Sequence, residues 1–242
     1  MGTLSRYLRK TLKRQIEICL NIKIYSNYAH GREDWYDIKK TGCEVMTIFD
    51  VGANTGQSVV KFRGAFPEAR IFCFEPVESV FDELANNTKG DERVSLHKMA
   101  FADSAGQRTI YLAADQTTNS FRSSTNTVAS ASVPVSTVDD FTRQNAIDRI
   151  DLLKIDAEGY DLKVLEGAKT CLRENKIAFV IVEVGFNEND SLHVPFESVR
   201  NFLAPYGYLV FGFYDQQLEW SGLSQLRYAN ACFCSEKMIA GK

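Results

Sequence analysis

The sequence has little of what several large classes of protein require. Its 242 residues carry a net charge of only −3, so no basic surplus is available to attract nucleic acid. It has three histidines and no C-x-x-C pair, which argues against a zinc site. No apolar run approaches the roughly 20 residues of a membrane span. An apolar content of 45% and a charged content of 24% then predict a soluble, cytoplasmic globular protein.

The six cysteines are scattered and are predicted to be reduced thiols, partly in the core. Cys73 lies within an apolar strand pattern, and Cys232 and Cys234 fall on one face of another. This cysteine usage is typical of a reducing compartment.

The first 44 residues differ in charge from the rest of the chain. Residues 1–23 contain six basic side chains and one acid, Glu17, a local charge of +5. Leucine or isoleucine recurs at positions 4, 8, 12, 16 and 20, which predicts an amphipathic helix. We expect it to pack on the main domain or on a second copy in a homodimer; peripheral membrane contact is the less favoured alternative. It has neither the continuous apolar region nor the cleavage site of a signal peptide. With the aromatic residues that follow, it forms a predicted extension over residues 1–44.

Beyond residue 44, strand patterns alternate with helix patterns. Apolar, β-rich runs predict strands at 45–51, 69–76, 93–101, 150–156 and 177–185, and helical spacing predicts helices at 57–66, 78–87, 137–145, 160–175 and 196–207. A strand (107–113), a long polar loop (115–132) and a further strand (133–136) interrupt the alternation. The last two strands, 208–214 and 230–235, are expected to pair antiparallel. The pattern predicts an α/β domain over 45–242, with helices on both faces of a mostly parallel sheet.

The stretch IFDVGANTGQS, residues 48–58, joins the first strand to the first helix through two glycines. Such a turn lets the backbone approach a ligand closely. A P-loop would need lysine and then serine or threonine after the second glycine, and Gln57 stands there instead. Asn54 occupies a glycine position of the dinucleotide pattern, which weakens an NAD(P) site without excluding it.

Two acids beside this turn indicate a different ligand. Asp50 precedes the turn and suits a positively charged group, whereas Glu75, at the end of the second strand, suits the two hydroxyls of a ribose. A nucleoside with a cationic tail satisfies both acids. S-adenosylmethionine is such a molecule.

Five segments carry a resemblance to a known family: FDVGANTGQS, FCFEPVESVFDELANN, VPVSTVDDF, IDLLKIDAEGYDLKVLEGA and VIVEV. They run from about residue 48 to residue 184, and the K-I-D-x-E-G block is the most specific. On these segments the chain resembles the FkbM-type methyltransferases, a branch of the class I S-adenosylmethionine-dependent enzymes. The resemblance implies a Rossmann-like seven-stranded sheet whose last strand is antiparallel, and O-methylation of a sugar, glycan or natural-product hydroxyl. A methyltransferase fold used only for binding, or less favourably an NAD(P)-dependent enzyme, is the alternative.

The resemblance also implies which residues hold the cofactor. By the resemblance, the glycine turn contacts the methionine end of the cofactor, the end of the second strand binds the ribose, and the stretch after the third strand lies near the adenine. The residues are Asp50, Gly52, Ala53, Asn54 and Gly56, then Glu75 and Pro76, then Met99, Ala100 and Asp103, together with Asp156.

The chemistry predicts catalytic residues at the end of the strand over 150–156. A hydroxyl is a weak nucleophile, so a base or a metal must take up its proton. Glu158 is predicted to be the base on the acceptor side, and Asp156 to face the cofactor, although helix-terminal acids are a plain alternative for both. Mg²⁺ held by Asp156, Glu183 and Asn187 is a second alternative, and no resident metal is expected.

The histidines are weaker candidates. His97 lies within the third strand, and His193 lies beside a proline in a polar loop. Both are interpreted as packed or surface histidines, and His193 is a lesser candidate for lining the pocket.

Overall fold

The computed structural model describes residues 31–113, 127–187, 190, 192–219 and 225–240, together with Leu12, Ile16 and Cys19. These three N-terminal positions are α-helical. The remainder of the predicted amphipathic helix lies outside the described residues, so its partner stays a prediction. No helix in the described part of the chain is both long enough and apolar enough to cross a bilayer.

The secondary structure follows the predicted alternation. The strands are β1 (Thr47–Val51), β2 (Arg70–Phe74), β3 (Val94–His97), β4 (Ala100–Phe101), β5 (Gly106–Ala113), β6 (Thr127–Ser136), β7 (Ile150–Ile155), β8 (Ile177–Gly185), β9 (Val194–Pro195), β10 (Tyr208–Leu218) and β11 (Leu226–Ser235). The helices are α1 (Asp34–Lys40), α2 (Gln57–Ala65), α3 (Glu78–Asn87), α4 (Val138–Gln144), α5 (Asp161–Glu166), α6 (Lys169–Arg173), α7 (Phe196–Leu203) and α8 (Glu236–Ala240), with a 3₁₀ turn at Ala204–Tyr206.

The main sheet has the order β10-β11-β8-β7-β1-β2-β3, with the short β9 beside β8. Neighbours from β8 to β3 are parallel, whereas β11 is antiparallel to both β8 and β10. This arrangement confirms the predicted mostly parallel sheet with an antiparallel last strand. The chain runs from β1 to β2 and β3 on one side of β1, and later adds β7 on the other side of β1. The carboxyl ends of β1 and β7 are therefore the point at which the strand order reverses.

Alternating side chains of the strands build a core on each face of the sheet. Phe49 and Phe72 point to one face, where helices α4 to α7 cover them; Ile48 and Ile71 point to the other, beneath α1 to α3. All four strand residues are buried. The helices therefore cover both faces, as the sequence predicts.

A second sheet, of order β4-β6-β5, corrects two expectations. The predicted loop 115–132 is strand from Thr127 onward, because this segment pairs antiparallel with β5 up to Ala113. The predicted third strand breaks after His97, whose carbonyl accepts hydrogen bonds from Glu75 N (3.1 Å) and Met99 N (2.9 Å), and Ala100 then pairs with β6 instead.

The predicted helix 160–175 is two helices. A Cβ on Gly167 would lie 2.1 Å from the carbonyl oxygen of Ala102, so the chain packs tightly there. The carboxylate of Asp139 then accepts hydrogen bonds from Thr170 N (2.8 Å) and Cys171 N (2.9 Å) and caps the start of α6.

Helix α1 packs on the sheet although it falls within the predicted extension. Its Ile38 is fully buried, and Tyr214 of β10 donates a hydrogen bond of 3.0 Å to Asp37 Oδ2. Lys61 of α2 forms an ion pair of 3.1 Å with Asp34. The boundary at residues 44 and 45 stays a prediction.

Candidate active site

The predicted site residues collect at the carboxyl ends of β1, β2, β7 and β8, which are neighbours in the sheet. The turn 52–56 follows β1, Glu75 follows β2, and Asp156 and Glu158 follow β7. Glu183 lies near the end of β8. In open α/β sheets, ligands bind in the crevice above these strand ends.

Gly52 is the tightest point of the turn. Its φ is +76°, and a Cβ there would lie 1.9 Å from the carbonyl oxygen of Asp156. Gly52 N and Ala53 N both donate to the carbonyl of Phe74, at 3.0 and 3.1 Å. Only glycine allows the loops after β1 and β7 to approach so closely.

The rest of the turn is fixed against the end of β2. Gly56 has a φ of +96°, and a Cβ there would meet Leu84 at 3.0 Å. Asn54 also adopts a left-handed conformation, with φ +48°, and its backbone N donates to Glu75 Oε2 at 3.2 Å. The turn and the acid that follows β2 are thus one hydrogen-bonded unit.

The carboxylate of Glu75 is buried and held by backbone donors. Oε2 accepts from Asn54 N, and Oε1 accepts from Val77 N at 2.9 Å, across Pro76. Burial raises the pKa of Glu75, and these two hydrogen bonds oppose the shift. A fixed carboxylate that keeps further lone pairs can accept hydrogen bonds from a diol.

Lys154 is the residue at this site that sequence reasoning missed. Its Nζ lies 3.3 Å from Asp50 Oδ1 and 3.3 Å from Asp156 Oδ2. Burial alone would lower the pKa of Lys154, but the two carboxylates outweigh it and raise that pKa above its usual value. The signal was present: a lysine stands in an otherwise apolar run of β7, and its neighbour across the sheet is Asp50.

Asp50 is fully buried. Burial raises its pKa, an effect that Lys154 opposes. Despite the ion pair, neither oxygen of Asp50 accepts a hydrogen bond of normal geometry from the described residues. A direct contact between Asp50 and the cofactor stays a prediction, and the contact that the structure shows for its carboxylate is the ion pair with Lys154.

The loop after β7 holds Glu158 in a constrained backbone conformation. Glu158 and Gly159 have φ values of +47° and +81°. The buried carboxylate of Asp161 accepts hydrogen bonds from Ala157 N (3.0 Å) and Gly159 N (3.1 Å), which fixes the loop from below. Burial raises the pKa of Asp161 to about 6.

Glu158 itself is half-buried among like charges. Burial, followed by repulsion from Asp156 and Glu183, raises the pKa of Glu158 to about 8. A carboxylate with a pKa near the working pH can take a proton efficiently. The raised pKa is a property that a general base requires, and the role of Glu158 as the base stays a prediction.

His193 also belongs to this edge, more firmly than its sequence context indicated. Its Nε2 lies 3.0 Å from Glu183 Oε2, and its Nδ1 lies 2.7 Å from Asp190 Oδ2. Burial would lower the pKa of His193, but these carboxylates raise it to about 9. Its ring stacks on Tyr228 with 4.3 Å between centroids.

Two predicted residues near the adenine position are engaged elsewhere. Ala100 is in β4 of the second sheet. Asp103 bonds Arg108 (2.5 Å) and Lys163 (3.2 Å), which hold the pKa of Asp103 down at about 2. Arg108 also donates to Tyr160 Oη at 2.7 Å, so the second sheet is tied to the loop that carries Glu158. An adenine contact by Met99, Ala100 or Asp103 stays a prediction.

His97 is packed, as interpreted from the sequence. It stacks on Phe74 with 5.2 Å between centroids and meets Phe141 edge-on at 4.8 Å. Burial lowers the pKa of His97. Within the described residues, no group of three or more His, Cys, Asp or Glu side chains could hold a metal ion. The magnesium alternative, which includes Asn187, stays a prediction.

Comparison with known proteins tests the family. The model of the FkbM methyltransferase domain matches residues 50–210. The 2-O-methyltransferase NoeI of Sinorhizobium fredii is 24% identical over 172 residues, covering 64% of this chain and 70% of that protein. The hexuronic acid methyltransferase AglP of Haloferax volcanii is 25% identical over 138 residues, covering 57% of this chain and 55% of that protein.

Solved structures superpose only loosely on the chain. The M. capricolum TrmK complex with S-adenosyl-homocysteine gives a TM-score of 0.45 at 11% identity, over 83% of this chain and 68% of that one. The precorrin-6y C5,15-methyltransferase of Geobacter metallireducens gives 0.46 at 12% identity, over 88% and 92%. The family model matches well over half of the sequence. The strand order and the glycine turn agree with a methyltransferase of this family. The chain therefore belongs to the FkbM methyltransferase family, and it is an S-adenosylmethionine-dependent methyltransferase.

Proposed function

We propose that the protein transfers a methyl group from S-adenosylmethionine to a hydroxyl oxygen of a sugar, a glycan or a hydroxylated natural product. The observation that carries the proposal is Glu158, a half-buried carboxyl at the end of β7 with a pKa raised to about 8. Such a group suits deprotonation of a hydroxyl. The two curated relatives support the substrate class, since their names describe 2-O-methyl transfer and methylation of a hexuronic acid.

The residues present fit the cofactor. Gly52 leaves no room for a side chain, and the buried oxygens of Asp50 next to it lack a normal hydrogen bond within the described residues. An ammonium group or an ordered water would supply the missing donor. Glu75, held by Asn54 N and Val77 N, would accept hydrogen bonds from the ribose hydroxyls. The bound cofactor supplies an electrophilic methyl group on a sulfonium.

The protein's own contribution is to position the acceptor and take up its proton. Glu158 would accept the proton of the hydroxyl as the oxygen attacks, with Asp161 holding the loop in place. Lys154 would balance the charge of Asp156 and Asp50, so that the cofactor side of the crevice is not strongly negative. Exclusion of water from the buried strand ends would favour transfer over hydrolysis.

A screen with radiolabelled S-adenosylmethionine tests the proposal. Monosaccharide glycosides, hexuronides, oligosaccharides and glycolipids are offered as acceptors, with and without EDTA. We expect labelled product that resists mild alkali, as an ether does and an ester does not. Cofactor binding without any turnover would favour the binding-only alternative, whereas thermal protection by NAD(P) would favour an oxidoreductase. Loss of activity in EDTA would support the magnesium alternative.

The N-terminal segment has its own proposal. We infer that residues 1–23 contact the main domain or a second copy of this chain, in a protein that works in the cytoplasm without nucleic acid as a partner. The leucine spacing and the +5 local charge support this contact, with anionic membrane as the alternative.

Deleting residues 1–23 tests this contact. We expect the melting temperature to fall by a few degrees or a dimer to dissociate in light scattering, because an apolar seam is lost. Salt-sensitive flotation with anionic liposomes, together with an unchanged melting temperature after truncation, would contradict packing.

A further inference from the structure

His193 is nearly buried and contacts groups from three separate parts of the chain. Its side chain is 10% exposed, and its two ring nitrogens face Glu183 of β8 and Asp190 of its own loop. Tyr228 of β11 covers one face of the ring, at an interplanar angle of 18°. A Cβ on Gly185 would lie 3.2 Å from His193 Cβ, so the strand leaves just enough space for this histidine.

Asp190 is itself held in place. Its side chain is 2% exposed, and Oδ1 accepts from Leu192 N at 3.0 Å, while Arg227 Nε lies 3.5 Å from Oδ2. The imidazole is therefore oriented from behind by a fixed carboxylate, in the way that second partners orient functional histidines. The group that it presents to the crevice is Glu183.

Glu183 keeps one oxygen for another partner. His193 engages Oε2 at 3.0 Å, whereas Oε1 has no hydrogen-bond partner among the described residues, and the side chain is 26% exposed. Glu183 lies one residue past Val182, which pairs with Ile155 of β7, three residues before Glu158. Glu183 is close enough to Glu158 to raise the pKa of that carboxyl by repulsion, so the two acids share one part of the crevice.

We propose that His193 is a positioning residue of the acceptor site, holding Glu183 as a second carboxylate beside Glu158 so that the pair takes an acceptor with two neighbouring hydroxyl groups. Glu158 accepts the proton of the hydroxyl that is methylated, and Glu183 Oε1 accepts a hydrogen bond from the hydroxyl on the adjacent carbon. A carboxylate oxygen such as Glu183 Oε1 is suited to accept a hydrogen bond from a sugar hydroxyl. The inference rests on the proposed function and narrows its substrate class to vicinal diols.

The positive charge of a protonated His193 also stabilises the two neighbouring carboxylates, Glu183 and Glu158. Glu183 and Asp190 together keep the imidazole protonated, with its pKa raised to about 9. The groups that act electrostatically on Glu158 include Asp156, Asp161, Glu183, His193 and Tyr228, and His193 is a cation among them. A protonated His193 thus reduces the repulsion that Glu183 exerts on Glu158. With both carboxylates ionised, the contacts of Nε2 with Glu183 (3.0 Å) and of Nδ1 with Asp190 (2.7 Å) need a proton on each ring nitrogen.

The first experiment uses nitrogen-15 NMR of the histidine side chains in the full chain, assigned with a His193→Gln variant. The sequence has only three histidines, so the spectrum is simple. We expect both ring nitrogens of His193 to be protonated at pH 7.5 and to lose that signature in Glu183→Gln. A neutral imidazole at pH 7.5 in the wild-type protein would overturn the positioning role.

The second experiment compares methyl hexopyranosides and hexuronides with derivatives in which one hydroxyl next to the methylated position is replaced by hydrogen. We expect kcat/KM of the wild-type protein to fall roughly 10–100-fold for the deoxy compound. Glu183→Gln should lower kcat/KM for the parent compound by a similar factor and discriminate against the deoxy compound less than threefold. His193→Gln should also lower kcat/KM for the parent compound and reduce the discrimination against the deoxy compound, in each case by a smaller factor than Glu183→Gln.

Calorimetry and an exposed control variant make the outcomes distinct. Affinity for S-adenosylmethionine should stay within about threefold in Glu183→Gln and His193→Gln, and Glu44→Gln, at the opposite edge of the sheet, should change nothing. Glu183→Gln with undiminished discrimination, or with a loss of cofactor affinity as large as its loss of kcat/KM, would overturn the inference. Absence of turnover by the wild-type protein on every hydroxylated compound would instead contradict the proposed function, and the diol preference with it.

Discussion

The two halves of the crevice are built in different ways. On the β1–β2 side, backbone hydrogen bonds fix the site: two amides of the glycine turn donate to the carbonyl of Phe74, and two further amides donate to the carboxylate of Glu75. On the β7–β8 side, charged side chains crowd together, with Glu158 among Asp156, Glu183 and His193. In the proposed mechanism the first half binds the cofactor and the second half takes up the proton of the acceptor.

The same contrast is present in the protonation of the two acids. Burial raises the pKa of both Glu75 and Glu158, but two backbone hydrogen bonds oppose the shift at Glu75, whereas like charges add to it at Glu158. An acid that binds a ligand benefits from fixed donors, and an acid that takes a proton benefits from a raised pKa. This difference in environment is the basis for proposing that Glu75 binds the ribose and that Glu158 takes up a proton.

The largest expected effect comes from Glu158→Gln. Turnover should fall roughly 10²–10⁴-fold, the usual loss when a general base is removed, while calorimetric affinity for S-adenosylmethionine stays within a few-fold. The control is Glu92→Gln, an exposed carboxyl before β3 at the opposite edge of the sheet. Full turnover in Glu158→Gln would show that Glu158 is not the base and that the β7–β8 side does not supply proton uptake.

Gly52→Ala tests the backbone half. The left-handed φ costs about 1–3 kcal/mol for a residue with a Cβ, and the overlap with the Asp156 carbonyl forces the two loops apart. We expect cofactor affinity to weaken on the order of 100-fold. Gly64→Ala is the matched control, since Gly64 lies within α2 with nothing within 4 Å of an added Cβ and should gain up to ~1 kcal/mol of stability. Unchanged affinity in Gly52→Ala would show that the close approach is not needed for binding.

Glu75→Ala should have a smaller effect confined to binding. Losing a charged hydrogen-bond acceptor for the ribose corresponds to about 1.5–3 kcal/mol, or roughly 10–100-fold in affinity, with kcat at saturating cofactor nearly preserved. Glu78→Ala, three residues on and exposed at the start of α3, serves as the control in isothermal titration. A fall in kcat without a change in cofactor affinity would contradict the role of Glu75 in cofactor binding.

Much of the fold could be predicted from the sequence because the strands of a parallel sheet are buried on both faces and are apolar throughout. The second sheet was harder to predict: residues 127–132 are mostly small, three of the six are polar, and only pairing with β5 makes the segment a strand. The break at Gly167 was also missed. It depends on contact with Ala102, far away in the sequence.

The site shows the same division. The glycine turn and Glu75 are local motifs, so their position beside one another was predictable. Lys154 and His193 act through partners that are distant in sequence or lie on other strands, and single-sequence patterns do not reveal such pairs. Their importance follows from the strand order, which places β1, β7 and β8 side by side.

The pH dependence of kcat/KM tests the central claim most directly, because this parameter reports the ionisation of the ligand-free protein. Because burial and like charges raise the pKa of Glu158 to about 8 and the deprotonated form is the proposed base, kcat/KM should rise tenfold per pH unit below that value and level off above it. Glu75→Ala should leave the midpoint unchanged, and Glu158→Gln should abolish the rise. A kcat/KM that is flat from pH 6 to pH 9, or a midpoint that survives in Glu158→Gln, would contradict the assignment of Glu158 as the base.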